Sequence, residues 1–220
     1  MTRNLRALMV SALAVLAMGA VGVQGAQGAL FHSEITNTTL TVRSDGTGKT
    51  AHQVFDVANG SVTCAGITGH GSMAAETETS VTVEVTYVEP CTYVGQLMSI
   101  NMGQCDYTFT SHGKVSITNS TGGNCAAVPI TITAPSPPCT LTISNAGGKN
   151  QNLGTVTYKT VGAGVNREIT IAPNVPGVHY TAHGSGCPKV GTFEDGAITT
   201  GNAFVTGETI GGAMVGIWWE

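Results

Sequence analysis

Six cysteines, Cys64, Cys91, Cys105, Cys125, Cys139 and Cys187, are the residues of this 220-residue chain whose type and number bear most directly on chemistry. A nucleophilic or metal-binding thiolate has to stay unpaired, whereas an even count in an exported chain points to disulfides. Cys64–Cys91, Cys105–Cys125 and Cys139–Cys187 close local loops and are the expected pairs, with a Cys91–Cys105 bridge as the competing arrangement. All six are read as structural.

The other reactive side chains do not assemble into a motif. His179 and His183 are four apart, a metal pair on a helix, but Pro176-Gly177 and Gly184 flank them and their neighbours alternate as on a strand. There the imidazoles stand about 13 Å apart and share no ion, so no metal or cofactor is expected. Gly48-Lys49-Thr50 has the tail of a phosphate-binding loop, but Arg43 occupies the place of the glycine that loop requires, and a hairpin turn is the reading. Ser72 and Ser185 lie in Gly-rich turns beside His70 and His183 with no patterned acid, and the Gly-x-Ser-x-Gly elbow is absent. Glu76, Glu78 and Glu84, or Glu194 with Asp195, could supply a carboxylate pair for glycoside cleavage. Glu84 falls on a solvated strand face and the others in loops, so no catalytic residue is assigned.

Trp218 and Trp219 end the chain in a run apolar on both sides: Val215, Ile217 and Trp219 share one strand face, Met214 and Trp218 the other. A closing strand of a sheet is the first reading. A ligand surface, with the tryptophans stacked on sugar rings, is the second, and an outer-membrane barrel signal the third. Glu220, the internal cysteines and an aromatic content of only 5% argue against the barrel.

The elements that must carry these residues follow an export signature. Arg3 and Arg6 precede an apolar run from Leu8 to Val23, too short at about 16 residues for the roughly 20 that span a bilayer, and small residues follow at Val23-Gln24-Gly25 and Ala26-Gln27-Gly28. Residues 1–28 are therefore expected to be a cleaved signal peptide, with no membrane span afterwards. Loss of Arg3 and Arg6 lowers the 9 basic residues to 7 against 13 acidic ones, a net charge of about −6. The remaining cations are scattered, which excludes a nucleic-acid partner held through phosphates. Charged residues make up 10% of the chain, so Thr, Ser and Asn must solvate the surface. Asn37, Asn59 and Asn119 each open an Asn-x-Ser/Thr triplet, which arises readily in a Thr-rich chain.

Period-two alternation recurs after the signal: Ser80–Val88, Lys114–Thr118, Val128–Thr133, Thr140–Ser144, Thr155–Lys159 and Glu168–Ala172 each place aliphatic or Tyr residues on one face and Thr or charge on the other. Between them stand Asp45-Gly46, Asn59-Gly60, Gly122-Gly123, Gly147-Gly148, Asp195-Gly196 and Gly211-Gly212, turn dipeptides suited to hairpins. The expected fold is all-β, an antiparallel β-sandwich of one large or two small lobes. Ala134-Pro135-Ser136-Pro137-Pro138 is the candidate boundary, giving lobes 29–134 and 139–220.

The signal, the strand-tyrosine-to-cysteine spacings Tyr87–Cys91 and Tyr180–Cys187, and the terminal Val215-Gly216-Ile217-Trp218 give a layout that resembles a group of bacterial exported proteins, Thr- and Gly-rich with spaced cysteines. That resemblance covers most of the exported chain, implies no activity and carries over no functional residue. The sequence thus leads to a secreted or surface-exposed protein, or a periplasmic one, with a structural, adhesive or binding role toward a cell-envelope component or polysaccharide. A secreted polysaccharide hydrolase acting through Glu194 and Asp195, and a carbohydrate-binding module using Trp218 and Trp219, are the alternatives.

Overall fold

A computed structural model describes residues 28–44, 53–58, 60–145 and 151–220. The expected signal, Gly48-Lys49-Thr50, Asn59, Asp45-Gly46 and Gly147-Gly148 lie outside the described residues. The rest is antiparallel β-structure with a single 3-10 turn, Gly164–Asn166, among the described residues. Thr, Val and Ile dominate its strands because their branched β-carbons pack well on a pleated surface.

In chain order the strands are β1 Phe31–Ser33, β2 Thr38–Ser44, β3 Gln53–Val57, β4 Gly60–Met73, β5 Thr77–Glu78, β6 Ser80–Tyr93, β7 Gln96–Asn101, β8 Cys105–Thr110 and β9 Lys114–Asn119. They continue with β10 Ile130–Pro135, β11 Pro138–Ile143, β12 Gln151–Val161, β13 Glu168–His183, β14 Gly191–Thr200, β15 Ala203–Glu208, β16 Met214–Val215 and β17 Ile217–Trp219.

Three long strands organise the molecule: β4 and β6 with 14 residues each and β13 with 16. Each changes partners halfway along an edge, so the pairings close on themselves twice. One circuit runs β6–β7–β10–β11–β13–β14–β3–β4 and back to β6; the other runs β6–β8–β9–β12–β13–β15–β2–β4 and back to β6. Closure removes the free edges at which strands pair with foreign chains. A small sheet, β17-β1-β5, covers the second circuit, where Phe31 and Ile217 join Leu40, Met73, Val83 and Ile169 in the core.

The halves of the sequence interleave in both circuits, since β9 pairs with β12, β2 with β15 and β3 with β14. The Pro-rich stretch is the tip of the β10–β11 hairpin, with Pro135 facing Pro138 as its last rung. The 134/139 boundary therefore falls at a hairpin tip.

On β4 the inward positions change parity at a bulge between Cys64 and Gly66. Beyond it Gly69 and Gly71 face inward, where an added Cβ would come within 2.4 Å of the Glu84 carbonyl and 2.7 Å of the Thr82 carbonyl. These glycines let β4 and β6 lie close, and they turn Thr68, His70 and Ser72 outward.

All three expected disulfides form. Cys64–Cys91 bridges directly opposed residues of β4 and β6, Cys105–Cys125 ties β8 to the segment after β9, and Cys139–Cys187 ties β11 to the segment after β13. Thiol labelling of the denatured, unreduced protein is expected to find no free cysteine; two or more labelled thiols per chain would contradict these pairings. Three disulfides fit an oxidising, extracellular setting. No helix among the described residues is long and apolar enough to cross a membrane.

Candidate functional site

Trp218 and Trp219 are engaged by the fold itself. Trp219 packs on the core beside Tyr158, with ring centroids 5.6 Å apart, and donates its indole N–H to the Ser111 carbonyl at 2.7 Å. Its backbone N–H donates to the Thr160 hydroxyl, which in turn donates to the Trp219 carbonyl, both at 3.0 Å. Trp218 points the other way but lies between neighbours on both edges of β17. His32 on β1 stacks on it at 5.1 Å and 7°, and the Arg167 guanidinium carbon sits 3.9 Å over its ring. Arg167 also pairs with Glu34 at 3.4 Å. Neither ring is a free platform of the kind that stacks on sugars.

The carboxylates singled out in the sequence separate. Glu194 and Asp195 lie on β14, not in a loop, at a bulge opposite β13; Glu194 faces His179 at 3.8 Å and Asp195 accepts the Tyr180 hydroxyl at 3.5 Å. Asp195-Gly196 is accordingly strand interior and not a turn. His179 and His183 share β13, and no metal-holding group of three or more His, Cys, Asp or Glu side chains occurs among the described residues.

Glu84, by contrast, has company. His70 and Ser72 are on β4, not in turns, and the β4–β6 register sets His70 directly opposite Glu84. The β6–β8 register pairs Thr82 with Thr108, so Glu84, two residues along the same face, meets Asp106 one rung further. The outer face thereby forms a trough of about 400 Å³ lined by His70, Ser72, Glu78, Ser80, Thr82, Glu84, Asp106 and Thr121. Its walls are mainly polar, and no aromatic ring lines it.

Asp106 is the unusual member. Its side chain leaves β8 on the outer face, yet the residue is only 8% exposed. No hydrogen-bond donor among the described residues meets its carboxylate. Burial pushes its pKa up, and the Glu84 charge pushes it up further. A desolvated acid beside a second acid, without a compensating cation, costs folding free energy that the sheet has to supply.

The hydroxyls around it are polarised in one direction. Thr118 donates its only proton to the Asp106 carbonyl at 3.4 Å. In the 2.9 Å contact between Thr108 and Thr118 the donor is then Thr108, and in the 2.8 Å contact between Thr82 and Thr108 it is Thr82. Thr82 consequently shows only lone pairs to the trough. Glu84, Asp106 and Thr82 present acceptors and no donor.

Sequence reasoning placed Glu84 but missed Asp106. The alternation Cys105-Asp106-Tyr107-Thr108-Phe109-Thr110 was its signal, with an Asp at a position where strands disfavour it. A second candidate is an apolar cavity of about 80 Å³ whose lining includes Tyr87, Tyr107 and Gln53. Its polar groups are the two tyrosine hydroxyls, 3.1 Å apart, and the unpaired Gln53 amide nitrogen. The chain matches no protein-family model, no curated protein and no solved structure.

Proposed function

We propose that the protein is an exported, disulfide-braced β-scaffold that acts at the cell exterior by binding, through the acceptor-lined trough on the outer face of β4, β6 and β8. The observation that carries this reading is Asp106, a residue only 8% exposed whose carboxylate meets no donor among the described residues and stands beside Glu84. A fold tolerates such a group when something outside it supplies the missing donors. The strands beneath are rigid, being hydrogen-bonded on both edges and bridged by Cys64–Cys91. The site is thus held ready before its partner arrives.

Hydrolysis of a polysaccharide is the second reading, and it moves from Glu194 and Asp195 to the Glu84–Asp106 pair. Two neighbouring carboxyls, one with a raised pKa, are the acid and base that glycoside cleavage uses. The missing aromatic platform for a sugar ring weighs against it.

Incubating the oxidised protein with a panel of insoluble polysaccharides and of acidic, neutral and basic immobilised proteins separates the two. Reversible retention on at least one support, with no new reducing ends, is expected. Reducing ends released by the wild type and lost in Glu84→Gln would establish the hydrolase instead, and absence of retention on every support would remove the binding role.

A further inference from the structure

Resting on that binding role, we infer that the trough accepts a basic side chain, the ammonium or guanidinium group of a protein partner, between Glu84, Asp106 and Thr82. Each of these three presents acceptors, and a Lys or Arg head presents donors only. An uncharged partner would leave Asp106 and Glu84 without a counter-charge. A divalent ion would ask for more converging carboxylates than are present, since calcium takes about 6–8 oxygens and no group of three acidic or imidazole side chains converges among the described residues. An amino sugar carries the same ammonium but also a ring that stacks best on an aromatic face, and no aromatic side chain lines the trough.

The titratable groups facing Asp106 are Glu84 from β6, His70 from β4 and Glu78 from β5, whose carboxylate already accepts the Ala75 N–H at 3.1 Å. From β9 and the segment after it come only hydroxyls, Thr118 and Thr121. A bound cation favours the ionised form of Asp106, so binding releases a proton. Affinity therefore climbs with pH through the raised Asp106 pKa and falls toward acid.

The test is an NMR titration of the side-chain carboxyl carbons of the oxidised protein with N-acetyl-lysine amide and N-acetyl-arginine amide, alongside glucosamine and calcium chloride. Saturable shifts at Asp106 and Glu84 are expected for at least one of the two amides. Binding should weaken tenfold or more in Asp106→Asn and in Glu84→Gln and be unchanged in Glu194→Gln. Asp106→Asn should also raise Tm at neutral pH, because it removes a charge the fold holds without a partner, and this shows that lost binding is not lost folding. Tighter binding of calcium or of glucosamine at the same carboxyls, equal weakening by Glu194→Gln, or no shift with either amide would each overturn the assignment. If the supports still retain the protein and Asp106→Asn changes nothing there, this site assignment fails while the binding role stands.

Discussion

A chain ending before Gly212 is expected to fail to reach a stable native state: secretion yield should collapse, and whatever is recovered should melt without a cooperative transition. Residues 212–220 hold the β16 and β17 strands, and β17 is the edge of the small sheet that bonds to the body of the fold at Arg167 and Thr160. Ile217 has no exposed surface, its N–H donates to the Arg167 carbonyl at 3.1 Å, and it packs among Phe31, Leu40 and Met73. Trp219 reaches Ser111, Thr160 and Tyr158. Leu30 and Glu220 exchange backbone hydrogen bonds at 2.6 and 3.2 Å, so β1 loses the partner on one of its edges together with β17 and keeps only its short pairing with β5. Cutting back a buried Ile or Trp costs about 3 kcal/mol each, and several lost ladder bonds add about 1 kcal/mol apiece. That is of the same order as the whole stability of a domain, about 5–15 kcal/mol. Single changes sort the contributions: Trp219→Ala should cost about 3 kcal/mol, and Trp218→Ala, which loses a half-exposed stack and a cation–π contact, about 1 kcal/mol. A truncated protein with a cooperative, near-native melt would show that the small sheet is an accessory.

The alternation of Val81, Val83, Val85 and Tyr87 made one face of β6 legible, because a period of two leaves a single consistent inside. The disulfide pairs were legible for a similar reason: local loops cost least to close. Three kinds of information were hidden. Strand β4 reads as a turn-rich stretch, since Gly66, Gly69 and Gly71 look like breakers until the close approach of β6 explains them. The hairpin between β6 and β7 turns on Val94-Gly95 with φ of 50° and 79°, and valine announces no turn. The alternation Glu168–Ala172 covers only the first part of β13, which runs on through Pro173 and Pro176 to His183, beside a register shift against β14 near Pro176. The site was hidden more deeply. Glu84 and Asp106 become neighbours only through the β6–β8 register, which no local pattern states, so the acid that matters most sat in a strand the alternation had not picked out.

That register also sets the sharpest contrast between adjacent residues. Val83→Asp is expected to abolish folding at neutral pH, and Thr82→Asp, one position away, to be tolerated. Val83 is 2% exposed and lies opposite Gly71, where the backbones are too close to let a side chain escape sideways. An aspartate there must be neutral. Holding it protonated at pH 7, about 3 pH units above its ordinary pKa of about 3.9, costs about 4 kcal/mol at about 1.4 kcal/mol per unit. Loss of the valine burial adds about 1.5 kcal/mol. The folded-state pKa of such a carboxyl is raised, so the penalty is complete above that raised value and shrinks as pH falls toward 4. A partial recovery of structure in mild acid is the corresponding signature. Ile130→Asp in the other circuit, also 2% exposed, should behave in the same way. Thr82→Asp breaks the hydroxyl contact with Thr108 and sets a third acid near Glu84 and Asp106, a surface repulsion that salt screens, for about 1 kcal/mol. Urea midpoints and secretion yields of the two variants at pH 7 and pH 4.5 measure the contrast. Equal yields at both pH values would mean that the faces of β6 are assigned the wrong way round, and with them the outward placement of Glu84 on which the trough depends.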